Sequence, residues 1–449
     1  MRRHSLIGPF VLILIGTLFL LYNLHPDWVT FGFIATYWPF LLIAWGLLRL
    51  VEILYWELTS KPLPARGIHG GEWTLIVFIA LIGSGLFAFH QHWPRLPQFS
   101  VGNRSVELFG ETYDYAIAEQ RQTIKGARIV VNNLRGNTRI VGADTQEIKV
   151  GGRKTVRAYS QSQAEEANRQ TGLKVVTEGD HLLIETAPEN GPRDTRVSTD
   201  LELTVPRGTS IQASSRTGDF DILNIDGGVD ITSSNAGVRL QDLAGSVRVD
   251  LRRSDIVRAV NVKGNVEVLG RGEDVELENI GGTATINGYY SGDVVCRNMA
   301  KPVVFQSGVT DLRFERVPGE CHVSRGDITA KNVVGPVRLI AQSKDVDIQD
   351  FQGEMTISIQ RGDVALKPGR APDARIDGAT RNGNVELSLP PDAKFELGAT
   401  TTRGQVENEF GGGLESSTSG AGASLKGITG RGPKITLNTE RGQIVLRKN

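Results

Sequence analysis

The chain has 449 residues, enough for two or three domains and a sizeable core, and its 50 basic and 50 acidic side chains cancel. With no net field to attract a polyanion, nucleic acid is excluded as an expected partner. The 52 glycines follow no collagen-like period, and all six tryptophans fall between Trp28 and Trp93, so the chain is divided between two different solvents.

The first solvent is lipid. Residues 6–24 (LIGPFVLILIGTLFLLYNL) carry no charge over 19 residues, long enough to cross a hydrocarbon core of roughly 30 Å. Two further apolar stretches, 31–48 and 73–89, complete an expected helical transmembrane domain of three spans over residues 1–93. Trp28, Trp38, Trp56, Trp73 and Trp93 fall near the span ends, where an indole buries its ring and keeps its N–H wet. A cleaved secretory signal is a poorer reading of the first span, because no small-x-small cleavage site follows it. Arg2 and Arg3 precede the first span, and Lys61 and Arg66 separate the second from the third. This bias places the amino terminus in the cytoplasm and everything after His90 outside it. The expected location is a membrane, crossed several times.

After a linker over 94–123, residues 124–210 read as an N-terminal β cap with one short helix. The helix is expected over 160–171, with Ser162-x-x-Glu165 as a capping box and Gly172 as its stop. A hairpin turning at Glu178-Gly179-Asp180 should follow. Ile129, Val131, Asn133, Leu134, Gly136 and Ile140 match once, early, the repeat described next.

Residues 211–410 read as a β-solenoid. Starting at Phe220, Val238, Val257, Val275, Val294, Leu312, Ile328 and Val346, apolar residues recur at offsets 0, 2, 5, 9 and 11. The starts are 18, 19, 18, 19, 18, 16 and 18 residues apart, and all forty template positions are apolar. Offset 7 is Gly in seven of the eight copies and offset 4 is Asn or Asp in seven, with Lys301 and Arg316 the exceptions. A spacing of two is strand alternation, and the Asn-to-Gly interval is turn chemistry, since both residues accept positive φ at low cost. Each copy is therefore two short strands with tight corners. Such a unit cannot bury its apolar face alone, so copies must stack strand upon strand, about 4.8 Å apart, with Val275 and Val294 in register on neighbouring layers.

Arg-Gly-Asp occurs twice, at Arg325-Gly326-Asp327 and Arg361-Gly362-Asp363, just before the coil starts at Ile328 and Val364. Thr217-Gly218-Asp219 and Ser291-Gly292-Asp293 fill the same place elsewhere. The triplets are therefore read as structural corners rather than recognition loops. Past Val364 the coils loosen; residues 411–423 (GGGLESSTSGAGA) read as a flexible loop, and Ile435, Leu437, Ile444 and Leu446 as closing strands in the segment 411–449. A bare terminal coil would self-associate through its strand edges.

No catalytic, cofactor-binding or metal-binding residue is assigned. His90 and His92 are read as solvated imidazoles at a membrane boundary, because two ligands rarely make a metal site. Cys296 and Cys321 occupy inward positions on different strands of different coils and are read as buried free thiols, with a disulfide as the alternative. No GxSxG, HExxH, CxxC or phosphate-loop pattern occurs. The outward positions at offsets 1 and 10 mix signs along the rod, as in Asp221, Arg239, Arg258, Glu276 and Asp230, Arg248, Glu267. Such ladders avoid like-charge stacking and do not gather the acids of a lyase on one face.

With its "G-x-V-x-I" and "GDV-x-L" coils, the stretch from about Ile124 onward resembles the bacterial "putative adhesin" domain of unknown function, a β-solenoid family without assigned catalytic residues. The segment "SLIGPFVLILIGTLFLLYNL", with Tyr37-Trp38-Pro39 after it, resembles the membrane domain of LiaF-type envelope-stress regulators. Together the resemblances imply a bacterial cell-envelope protein. Three functions stay open. The leading one is a membrane-anchored, non-catalytic binding, adhesin-like or scaffold module for an unidentified envelope protein or glycan. The others are a regulator of a sensor kinase and, least favoured, a glycan-active enzyme.

Overall fold

The computed structural model describes residues 110–123, 128–186, 196–411 and 413–449, together with helical positions between 40 and 84. The chain divides into two compact units, Met1–Gly110 and Glu111–Asn449. In the first unit, the described positions include Phe40, Ile43, Leu47, Leu50, Leu54 and Leu58, all helical and all exposed. Among the described residues no helix is long and apolar enough to cross a membrane. The predicted spans over 6–24, 31–48 and 73–89 lie wholly or largely outside the described residues, as do His90 and His92.

The second unit is built from two long sheets that run side by side along a common core. All forty apolar template positions are buried, none more than 6% exposed, and they belong to one continuous cluster. The first sheet has 16 strands and the chain alternates between it and the second sheet, one strand of each per coil. From Phe220 to Gln306 the pairing is parallel and in register: Phe220, Val238, Val257, Val275 and Val294 stack in one row. In the second sheet Val229, Val247, Val266, Ala284 and Val303 do the same.

The corners differ from the expectation in an instructive way. All seven Asn and Asp residues at offset 4 adopt the left-handed conformation, with φ between 51° and 59°. Of the seven glycines at offset 7, however, only Gly353 has positive φ. The others are glycine because the coils approach too closely for a side chain. A Cβ on Gly245 would lie 2.1 Å from the carbonyl oxygen of Gly227, and one on Gly264 2.3 Å from that of Gly245.

The sixth copy runs backwards. Thr310–Phe314 belongs to the second sheet and Val317–Val323 to the first, the reverse of every other coil. Both strands pair antiparallel with their neighbours on either side. Two serine-led turns make the reversals. Ser307 N donates to Thr310 O at 2.8 Å, while Ser307 Oγ accepts from Thr310 N at 3.1 Å. Ser324 N donates to Asp327 O at 2.9 Å, and Ser324 Oγ accepts from Asp327 N at 3.0 Å. The reversal escapes the apolar pattern because offsets 0, 2, 5, 9 and 11 read almost the same in either direction.

Both ends also depart from the expected order. Residues 111–123, assigned by sequence to the linker, form the strand Glu111–Thr123 at the edge of the first sheet. Its half-buried Tyr113 and Tyr115 pack with Val197 on a small cluster of Val156, Ala158, Ala164 and Ala167 under the helix of this unit. That helix spans Gln161–Gln170, and its N-cap is Ser160, not Ser162. The capping box lies two residues early: Ser160 Oγ accepts from Gln163 N, and Gln163 Oε1 from Tyr159 N. The buried Lys154 ammonium closes the other end, donating to Asn168 O and Asn168 Oδ1 at 3.1 and 3.0 Å and to Thr171 O. The hairpin Leu173–Glu178 to His181–Thr186 forms as expected. The early template match is out of phase: its Asn133 points inward, fully buried, and donates to Thr199 O at 2.9 Å.

At the far end, the loop expected over 411–423 is strand from Leu414 to Ser419 and again from Gly422. Leu414–Ser419 and Gly422–Ile428 form an antiparallel hairpin that covers the last strand of the second sheet. The strands Lys434–Arg441 and Ile444–Lys448 do not close the array; they insert one layer inside it. Short, polar residues read as a linker because nothing in their composition signals the antiparallel cover that a parallel edge requires.

Candidate functional site

The second unit carries an open groove of about 420 Å³ on the outer face of the second sheet. It spans the strands Arg128–Arg135, Ser210–Thr217, Val229–Asn235, Val247–Leu251 and Val266–Gly272. The floor is low because the corner row there is Ser210, Gly228 and Ser246, which raise almost no side chain above the backbone. Gln212, Asp230, Arg248 and Glu267 stand in register along one side, one residue per layer. Arg128 closes the end and donates from Nη2 to Gln212 Oε1. Arg248 Nη1 lies 2.5 Å from Glu267 Oε2.

The groove thus offers fixed donors and acceptors at a spacing of one layer, about 4.8 Å, along a rigid support. It suits a polar, uncharged, extended ligand rich in hydroxyl groups better than a small apolar one. Sequence reasoning saw Asp230, Arg248 and Glu267 as members of a mixed ladder but missed the groove. Arg128 and Gln212 lie outside the eight template copies, in the strand of the out-of-phase early match and the strand just ahead of the first copy.

The outer charge rows are arranged as pairs. Arg139 reaches Asp221 at 3.2 Å, Arg258 reaches Glu276 at 3.4 Å and Arg447 reaches Glu386 at 3.3 Å. Arg239 and Arg258 are neighbours in register, and Arg239 turns instead toward Asp219 at 3.8 Å. The reversal of the sixth copy exchanges two expected positions: Arg313 joins the second sheet beside Val304 and Arg338, and His322 joins the first between Val295 and Thr329. His322 Nε2 lies 3.2 Å from Asp293 Oδ1.

The two Arg-Gly-Asp triplets prove unlike. Arg361-Gly362-Asp363 is a regular corner: Gly362 has φ 134°, and Asp363 Oδ1 accepts from Asn384 N at 2.7 Å while Asp363 N donates to Asp345 Oδ1 at 2.8 Å. Arg325-Gly326-Asp327 is the exposed tip of a reversing hairpin, where a Cβ on Gly326 would meet nothing. The buried Lys344 braces that tip from below, donating to Arg325 O at 2.9 Å and to Ser324 O.

The groups held away from their ordinary pKa belong to the frame. Burial lowers the Lys154 and Lys344 ammonium groups. Burial pushes the Cys296 thiol up to about 12 and the Cys321 thiol well above its usual value. Hydrogen bonds from Asn261 and Gln241 hold the Asp242 carboxyl below the usual range. Among the described residues no group of three His, Cys, Asp or Glu side chains is placed to hold a metal ion.

A comparison with curated proteins finds no match. Among solved structures the chain is similar to a "putative cell adhesion protein" of Clostridium sporogenes, at 11% identity and a TM-score of 0.17 over 74% of this chain and 100% of that one. It is similar also to "putative adhesins" of Parabacteroides distasonis, at 9% identity and TM-score 0.23 over 75% and 97% of the two chains, and of Parabacteroides merdae, at 10% and 0.21 over 74% and 95%. Residues 127–447, which hold the groove and all of both sheets but the edge strand Glu111–Thr123, match the Toastrack DUF4097 domain, and the chain belongs to that family.

Proposed function

We propose that this chain is a non-catalytic, membrane-anchored binding module of the cell envelope, and that the groove beside Gln212, Asp230, Arg248 and Glu267 holds an extended glycan. The observation that carries the reading is the groove itself: an open channel in a rigid sheet face, lined by hydrogen-bonding side chains in layer register. Sugar hydroxyls match such alternating donors and acceptors without demanding a net charge, which the chain lacks. Anchoring rests on the uncharged run over 6–24 and on the exposed apolar side chains at helical spacing from Phe40 to Leu58.

The test is retention of the full chain, purified in detergent, on insoluble peptidoglycan sacculi, with soluble muropeptides as competitor. Retention that falls about thirtyfold in an Arg128→Ala, Arg248→Ala double variant, as expected for the loss of two side-chain hydrogen bonds of about 1 kcal/mol each, supports the reading. No retention, or retention indifferent to these changes and to the competitor, overturns it.

A further inference from the structure

Along the inward face of the first sheet one row of side chains runs Leu240, Ala259, Leu277, Cys296, Cys321, Ala330, Ile348, one residue per layer. The two cysteines are consecutive members of this row. They are also partners directly across an antiparallel pair, because Cys296 lies in the last parallel strand of the forward coils and Cys321 in the reversed strand laid against it. Both are buried free thiols on different strands of different coils, as expected, but the reversal moves Cys321 from the second sheet to the first and sets it opposite Cys296. Facing residues of an antiparallel pair have Cα atoms about 4.5–5.5 Å apart, within the range of about 4.4–6.8 Å that a disulfide spans. Both side chains point into the core, at 2% and 3% exposure. The chain contains only these two cysteines.

We propose that Cys296 and Cys321 are a cross-strand pair that closes into a disulfide and fastens the reversed segment to the forward coils. The bond encloses the 24 residues between positions 296 and 321, which include the whole first hairpin and the crossing between the sheets. Closure is a two-electron oxidation with a low-molecular-weight disulfide such as glutathione disulfide as acceptor. One cysteine thiolate attacks the acceptor, releases the first glutathione thiol and forms a mixed disulfide; the second cysteine then attacks that sulfur and releases the second thiol. Each cysteine gives up one proton, and the two released glutathiones carry the two electrons. In the finished fold neither thiol is accessible to the acceptor, so closure belongs to the period before the layers seal.

The test is cell-free synthesis of the full chain with detergent and a buffer of glutathione and its disulfide, followed by acid quenching, unfolding, alkylation and trypsin digestion without reductant. Expected is the covalent pair of peptides 272–297 and 317–325, with neither cysteine alkylated; reduction restores two alkylatable thiols. The unfolding midpoint of the oxidised chain should exceed that of the reduced chain by about 5 °C, a difference that vanishes in Cys296→Ala. Two free thiols, glutathione adducts that persist on Cys296 or Cys321, or links only between chains each overturn the proposal. The mass readout comes from the unaltered chain, so it decides the matter even if the variant fails to fold.

Discussion

The forward coils from Phe220 to Gln306 and the reversed copy from Thr310 to Val323 bury the same kind of row by different means. In the forward coils each layer repeats the one below, so a residue meets its own equivalent and like stacks on like. Asn298 Nδ2 donates to Asn279 Oδ1 at 2.7 Å, Asn279 Nδ2 to Asn261 Oδ1 at 2.9 Å and Asn261 Nδ2 to Asp242 Oδ1 at 2.8 Å, a ladder that follows from translation alone. In the reversed copy no equivalent lies opposite. Arg316 stands where the ladder would continue, and it pairs by its backbone with Val334 instead. Regular stacking therefore specifies corners through repetition, whereas the reversal depends on two local turns. The difference teaches that the core tolerates either chain direction while the corners do not.

The largest expected effect tests the close approach in the forward coils. Gly245→Ala places a methyl group 2.1 Å from a backbone oxygen that is itself fixed in the sheet, and should destabilise by about 3 kcal/mol. Gly326→Ala at the hairpin tip meets open space at ordinary φ and should change stability by no more than about 0.5 kcal/mol. Thermal unfolding of the full chain followed by circular dichroism compares the two. Equal effects would remove the claimed distinction between corner and tip.

Next in size is the left-handed ladder. Asn261 has φ 58°, which costs a residue other than Gly, Asn or Asp about 1–2 kcal/mol. Asn261→Ala should lose this amount and the ladder hydrogen bonds together. Asn261→Gly keeps the backbone conformation and loses only the bonds, so its smaller deficit measures the ladder by itself. If the two variants unfold together, backbone strain plays no part at this corner.

How much of this was legible in the residues depends on which information each residue carries. The apolar rows were legible because burial depends on facing direction alone, and all forty positions are inside. Chain direction was not, because the apolar offsets are nearly palindromic. The signals that do mark the reversal are polar and local: Arg316 in place of Asn, a spacing of 16, and Ser307-Gly308 before an unscheduled turn. The insertion of Lys434–Arg441 within the array had no signal, since Ile435 and Leu437 fit any layer equally well. The groove escaped for a related reason: it is defined by what Gly228 and the flanking serines lack, and its end wall, Arg128, belongs to a strand far away in sequence.

A smaller effect separates the two Arg-Gly-Asp triplets. Asp363→Ala removes the acceptor of the Asn384 N–H and should cost about 1 kcal/mol. Asp327→Ala leaves the turn intact, because that turn is held by the Asp327 backbone and the Ser324 hydroxyl, and should stay within about 0.5 kcal/mol. A costly Asp327→Ala would place both triplets in the same structural class.

The smallest effect is a pH dependence confined to the forward coils. Asn261 and Gln241 donate to the two Asp242 oxygens at 2.8 and 3.0 Å and so favour the ionised carboxyl in the folded chain. A folded pKa below the unfolded one means that the contribution is present in full above the unfolded carboxylate value of about 4 and is lost as pH falls through the folded value. Asn at this position still offers an acceptor to Asn261, as Asn261 does to Asn279, but does not titrate. The midpoint difference between the native chain and Asp242→Asn should therefore be constant from neutral pH down to about 5 and shrink below about 4. A difference that stays flat to pH 2.5 would show that the carboxylate at the foot of the ladder is held by position rather than by charge.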